Sequence, residues 1–166
     1  SFAPYETIVT GCASCTLMLK DYPTLFPEGE ERQQAESLAK KVVHISEFVA
    51  RSSEHPPMAN TGGTTKRVTY HSSCHLRAAG VTKEPRQVLS SLPGVNFVEM
   101  QDADRCAGGA GTYVVKDYDT SKKIFERKAR AINQSGANVV ATSCPACMIQ
   151  LKNGLDETVE VKHVAQ

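Results

Sequence analysis

The sequence has no excess of charge of either sign: 19 Lys and Arg stand against 18 Asp and Glu, for a formal net charge of +1 over 166 residues. A balance this even leaves no electrostatic footprint for nucleic acid or for an anionic membrane surface. Long apolar runs are missing too. The longest is a few residues, far short of the roughly 20 that span a bilayer. No charged-then-apolar leader opens the chain, so secretion is not expected, and Ser1 in place of Met reads as the start of a piece of a longer protein. The GGAG stretch at 108–111 lacks the Lys-Ser/Thr of a P-loop and the GxGxxG of a dinucleotide fold. No Ser-His-Asp array or spaced pair of carboxylates is present. Asp102 and Asp104 read as loop residues.

What the chain does have is a 40% hydrophobic composition, enough for one ordinary folded core, and six cysteines. Six is too sparse for a disulfide-dense secreted scaffold and more than a core needs, which points to metal or redox chemistry.

Short β-rich runs alternate with helical stretches. Tyr5–Thr10, Arg67–His71, Val95–Met100 and Ala137–Ala141 read as strands. A helix is expected from Glu30 to near Arg51, on the spacing of Leu38, Val42, Ile45 and Val49. Others are expected over Pro85–Leu92, over Asp119–Gln134 with Gly136 as its stop, and from the Cys144 turn onward. Val159–Val164 begins a last strand or helix. The alternation predicts an α/β fold, a parallel sheet flanked by helices, with the cysteines at the C-terminal strand edge where such sheets hold ligands. Residues 53–65, rich in Pro, Gly and small polar side chains, form the best linker, dividing the chain into 1–52 and 66–166.

Those two parts carry a repeat. TIVTGCASCTLMLKD (Thr7–Asp21) resembles NVVATSCPACMIQLKN (Asn138–Asn153), and KKVVHISEFV (Lys40–Val49) resembles VEVKHVAQ (Val159–Gln166), so that His44 and His163 occupy matching places. These two histidines are expected to be structural, as helix caps or supporting groups. Residues 1–52 read as the end of a first cysteine-rich repeat and 66–166 as most of a second.

Cys74, Cys106 and the CPAC pair Cys144 and Cys147 form the candidate metal or cluster site, with 31 and 37 residues in the intervals. Pro145 suits a first helical position, which makes Cys144 an N-cap and puts Cys147 in the first turn. There the helix end lowers thiolate pKa. Gly108 and Gly109, with Gly111, let backbone amides approach sulfur. Four thiolates suit a tetrahedral metal or a cubane cluster. Buried free thiols, or a thiol–disulfide enzyme acting through Cys144 and Cys147, are the competing readings. Cys12 and Cys15 form a weaker pair: ligands in an intact first repeat, or else free or disulfide-bonded. His75 and His71 are expected to be orienting or solvent-facing groups, with a Cys3His zinc site as the alternative for His75. The basic face of the helix after Tyr118, with Lys122, Lys123, Arg127, Lys128 and Arg130, reads as solvated.

With these motifs in view the sequence resembles the cysteine-rich CCG domain family, which includes the iron–sulfur subunits of glycolate oxidase, lactate-utilisation systems and anaerobic glycerol-3-phosphate dehydrogenase, and more distantly a cysteine-rich subunit of heterodisulfide reductase. YHSSCHLR, CAGGAGTY, DTSKKIFERKA, SGANVVATSCPACMIQL and VKHVAQ fit the second family repeat, and GCASCTLMLKDY fits the end of a first. Where the family has adjacent cysteines, this chain has Cys106-Ala107. That departure disfavours a noncubane cluster and favours one 4Fe–4S cluster on Cys74, Cys106, Cys144 and Cys147. The resemblance implies an electron conduit, without a catalytic residue of its own. Its partners would be an FAD-dependent dehydrogenase acting on a 2-hydroxy acid or glycerol 3-phosphate, a ferredoxin-type cluster domain, and a quinone or membrane subunit. The FAD lies on a partner. The implied location is cytoplasmic, at the inner face of the membrane through partners. The reading from another class is a zinc-stabilised interaction domain that keeps the fold without redox function.

Overall fold

The computed structural model describes residue 2, residues 4–52 and residues 65–166. Apart from Thr65, the expected linker lies outside the described residues.

The first part runs β1 (Ile8–Thr10), α1 (Ala13–Asp21), a 3-10 turn at Tyr22–Leu25, α2 (Glu30–Lys41), β2 (Val42–His44) and α3 (Ile45–Arg51). The second runs β3 (Lys66–His71), α4 (Cys74–Ala78), α5 (Glu84–Ser91), β4 (Val95–Phe97), α6 (Tyr113–Lys116), α7 (Tyr118–Ser135), β5 (Val139–Thr142), α8 (Pro145–Gly154) and β6 (Glu160–His163). Among the described residues every strand pairing is parallel: β1 with β2 in a small sheet, and β4-β3-β5-β6 in a larger one. The fold is α/β, as the alternating pattern implies.

The expected single helix from Glu30 to Arg51 is not formed. The chain leaves α2 at Val42, whose backbone is extended (φ −81°, ψ 123°), makes the strand Val42–His44, and re-enters a helix at Ile45. The apolar spacing fits a helix, but adjacent β-branched Val42 and Val43 fit a pleated strand better once β1 offers them hydrogen bonds. The repeat holds the correct answer. Thr10 pairs with His44 in the small sheet, and Thr142 pairs with His163 in the large one, in the same register. The histidines do the same work in each copy. His44 Nδ1 accepts the Ser46 amide at 3.2 Å, and His163 Nδ1 accepts the Ala165 amide at 3.2 Å. At His44 the Glu47 carboxylate accepts the His44 amide in return (2.9 Å), closing a capping box.

Helices cover both faces of the larger sheet. On one face Met100, Phe125, Ile132, Val140 and Leu151 pack under α7 and α8. On the other, Val68, Tyr70, Leu89, Val139 and Ala141 pack under α5, with Ile45 of α3 alongside. Full burial of each large apolar side chain contributes about 1.5–3 kcal/mol. A third, smaller cluster joins Ala13 of the first repeat to Leu76, Val81 and Cys144 of the second. Apolar packing is therefore continuous between the two parts. Among the described residues no helix is long and apolar enough to cross a membrane.

His44 and His71 are both buried and held neutral. Burial, followed by the nearby His163, pushes His44 down to about 4. Burial, with the Lys128 and Arg77 charges, pushes His71 to about 3. Each native-state value lies below the unfolded one, so the unfolded chain binds the extra protons, and stability falls as pH drops from about 6.5 toward 4. At about 1.4 kcal/mol for each tenfold change in proton affinity, His44 alone accounts for roughly 3 kcal/mol. The check is an NMR titration of the ring Cε1–H signals together with urea denaturation across that range. Midpoints near 6.5 for both rings would refute the assignment.

Candidate metal centre

The strand order places the cysteines. From β3 the chain moves outward to β4, then returns and moves the other way, through β5 to β6. β3 and β5 are therefore the neighbours at which the winding reverses, and the crevice at their C-terminal ends is where open parallel sheets bind ligands. Cys74 opens α4 directly after β3, Cys144 caps α8 directly after β5, and Cys106 lies on the long loop after β4. Cys12 caps α1 after β1 in the same way.

Cys144 and Cys147 form the tightest part of the site. Cys144 is buried, with β-region backbone (φ −130°, ψ 118°) that suits an N-cap, and Pro145 takes the first helical position. The thiol of Cys147, followed by the first-turn amides of Cys147 and Ala146, stabilises charge on the Cys144 sulfur and brings its pKa down to about 5 against burial. Cys147 is pushed strongly upward by that same bond to Cys144, then by burial and by charge on Cys144, Cys74 and Cys106. The two shifts run in opposite directions, so the contact between the sulfurs and the helix amides favour charge on Cys144 over Cys147. Cys147 is the sulfur that senses the other three.

Cys106 lies on a loop that the backbone aims at it. The Gly108 amide donates to Cys106 Sγ at 3.2 Å, while the Gly108 carbonyl accepts from Ser121 Oγ at 2.8 Å. Gly108 has φ +84°, and a Cβ there would stand 2.5 Å from the Ser121 carbonyl oxygen. At Gly109 a Cβ would meet Gln150 Cβ at 2.8 Å. Both glycines are therefore sterically required, and the amide-to-sulfur contact expected of this loop is present.

Cys12 and Cys15 are not isolated. The Cys15 amide lies 3.4 Å from Cys12 Sγ, and Cys15 is raised by its bond to Cys12 and by burial. The Ala13 amide donates to the Ser143 carbonyl at 2.9 Å, so the CASC and CPAC turns touch. Ser14 reaches across the join: its Oγ lies 3.1 Å from His75 Nδ1 and 4.0 Å from Cys144 Sγ. His75 is exposed and engaged with Ser14, in keeping with an orienting group. All six cysteines are free thiols. Among the described residues no three Cys, His, Asp or Glu side chains stand close enough to hold one metal ion. Cys144 and Cys147 are joined, whereas Cys74 and Cys106 lie within electrostatic reach of Cys147 but short of coordination. The donor set suits a thiophilic centre: four sulfurs near one rim, with amides directed at the sulfurs of Cys106 and Cys144.

Lys128 departs from the sequence expectation. Instead of lying on a solvated basic face of α7, it is 2% exposed. Its Nζ donates to the carbonyls of Asp102 (2.5 Å) and Ala103 (3.3 Å), at the start of the Cys106 loop, where Asp102 has φ +55°. Burial lowers it to about 8. The signal lies in the spacing, because Ser121, Phe125, Lys128 and Ile132 form one buried stripe along α7. Ser14 is a second residue that sequence reasoning misses; its position inside the first CxxC is the hint.

Residues 68–152 match the CCG cysteine-rich domain. The chain belongs to the CCG cysteine-rich domain family. It is 30% identical over 171 residues to lactate utilization protein A of Bacillus subtilis, covering all of this chain and 71% of that protein. It is 33% identical over 153 residues to the probable glycolate oxidase iron-sulfur subunit of Bacillus subtilis, over 91% of this chain and 34% of that one. To a subunit of fumarate reductase (CoM/CoB) of Methanothermobacter marburgensis it is 36% identical over 155 residues, 92% of this chain and 29% of that subunit. The chain thus spans about a third of the length of two of these three CCG relatives.

Two outcomes follow from the geometry. Thiolate absorbance near 240 nm, about the ordinary thiolate band, should titrate with a midpoint of about 5 for Cys144 and move toward the ordinary thiol range in Cys147→Ala; an unchanged midpoint in the variant contradicts the contact between the two sulfurs. Gly108→Ala should cost at least about 2 kcal/mol in chemical denaturation, through the positive φ and the carbonyl clash. Gly111→Ala, at φ +49° with open space around it, should cost less.

Proposed function

We propose that this CCG domain carries one iron–sulfur cluster of the 4Fe–4S type, held by Cys74, Cys106, Cys144 and Cys147, and passes single electrons between redox partners. The observation that supports the reading is that Cys74 and Cys144 directly follow the two strands at the sheet's reversal point, while charge on Cys144, Cys74 and Cys106 acts on Cys147. The names of the relatives, an iron-sulfur subunit among them, support it. When bound, such a cluster supplies one-electron chemistry.

The protein's own residues shape the site. Ala13, Leu76, Val81 and Cys144 make an apolar floor in which the Cys144 sulfur is buried. Gly108 donates to Cys106, the first-turn amides of α8 face Cys144, and Ser14 approaches Cys144 from the first repeat. Hydrogen bonds to sulfur of this kind raise a cluster's potential. Ala107, 2% exposed within the core, supplies no thiol where adjacent cysteines would place one, so four ligands and an ordinary cluster fit better than a noncubane one. Cys12 and Cys15 are ligands of a second centre when the first repeat is complete. The parent complex is an FAD-linked dehydrogenase of the 2-hydroxy acid or glycerol 3-phosphate type. Its electrons pass by a ferredoxin-type domain toward a quinone or another acceptor, at the inner face of the membrane.

Anaerobic reconstitution with iron and sulfide tests the reading. The expected product has four iron and four sulfide per chain and absorbs at about 400 nm, with bleaching by dithionite. Cys74→Ala, Cys106→Ala, Cys144→Ala and Cys147→Ala should each lower iron content severalfold, while Cys15→Ala leaves it unchanged. A colourless protein holding one zinc would replace the electron-transfer reading with the structural one.

A further inference from the structure

A cavity of about 240 Å³ opens beside Cys106, lined by Asp102, Arg105, Cys106, Ile124, Arg127 and Lys128. Three cationic side chains border it against one carboxylate. That carboxylate is already engaged, since Asp102 Oδ1 lies 3.3 Å from Arg105 Nε. Arg127 is exposed, and its guanidinium forms no ion pair or hydrogen bond among the described residues. Lys128 is buried, and its ammonium donates to two carbonyls and approaches the Met100 thioether; among the described residues no carboxylate is within ion-pair range. Asp104 and Asp102 compensate this buried charge only from a distance, so its field still favours an anion in the cavity. Cys106 itself is exposed, so its sulfur forms part of the wall that a ligand entering from solvent would touch.

We propose that this cavity is a binding site for a small oxyanion, a carboxylate or a phosphate group, held by Arg127 in the field of the buried Lys128, with Cys106 at its side. The volume suits a ligand of a few heavy atoms, and the planar guanidinium of Arg127 matches the two-oxygen geometry of either anion. Asp102, paired with Arg105, forms the opposite wall. The site does not depend on a cluster being bound, because the cavity, the two cations and the exposed sulfur belong to the polypeptide.

The test uses the reduced, iron-free chain and two alkylating agents that differ in charge, iodoacetate and iodoacetamide, with the rate at each cysteine read by peptide mass spectrometry. Each rate is normalised to that of the urea-unfolded chain. At Cys106 the iodoacetate-to-iodoacetamide ratio should exceed that at Cys74 by at least about fivefold, since a local cationic field concentrates the anionic reagent. Phosphate or acetate, added at constant ionic strength against chloride, should remove the excess, and whichever acts at lower concentration identifies the preferred group. Arg127→Gln, a change at an exposed position that leaves the core intact, should lower the ratio at least threefold. Lys128→Met should lower it too, with circular dichroism confirming the fold. A ratio at Cys106 within about twofold of Cys74 overturns the site. So does an excess that neither anion competes away, which marks a diffuse field, or one that survives Arg127→Gln.

Discussion

The parallel pairing of β3 with β5 is the constraint on which the rest of the structure depends. His71 faces Thr142 in register, so the turns that follow, to Cys74 on one strand and to Cys144 on the other, begin side by side at one edge of the sheet. A register shift of one residue would send every side chain of a strand to the opposite face and separate the two cysteine turns. Buried Tyr70 helps hold this arrangement. Its hydroxyl shares a 2.9 Å hydrogen bond with Ser143, and the Ser143 carbonyl accepts the amide of Ala13. One short segment, Ser143-Cys144, thereby links the central strands to both CxxC turns.

Around that edge the molecule places polar groups in deliberate opposition to burial. Thiolate charge on Cys144 is supported by a neighbouring thiol and by helix amides, while Cys147 keeps its proton. Lys128 reaches through the core from α7 to hold the carbonyls of Asp102 and Ala103, fixing the origin of the loop that carries Cys106. The glycines at 108 and 109 then allow that loop to lie against Ser121 and Gln150. A buried cation and two missing Cβ atoms together determine where Cys106 sits.

The α/β class and most elements are legible in the residues, as are the strand-to-helix turns that carry Cys74 and Cys144. The 3.6 period survives in α7, β3 and β5 are short β-branched runs buried on both faces, Pro and Gly mark the ends of α8 and α7, and the CCG motifs recur at the spacing of the family. The stretch Glu30–Arg51 is not legible by period, because Leu38, Val42, Ile45 and Val49 keep helical spacing across a three-residue strand. Comparing it with the second repeat corrects the reading, since His44 and His163 occupy one place in one structural unit. Lys128 is illegible for another reason. Charge suggests the surface, and only its position on the stripe between Phe125 and Ile132 shows that the side chain turns inward.

The sequence by itself determined which atoms were available: four thiols in the second repeat, two in the first, glycines at the loop, and a repeat whose strands end in Thr and His. Those are local properties, decided by side-chain chemistry and by residues near in the chain. The tertiary structure alone decided which of them meet. Ser14 lies against His75 and Cys144, Lys128 reaches Asp102, and the two CxxC turns touch, across separations of 26 to 130 residues. Such contacts depend on strand order and register, and no local pattern in the chain encodes those.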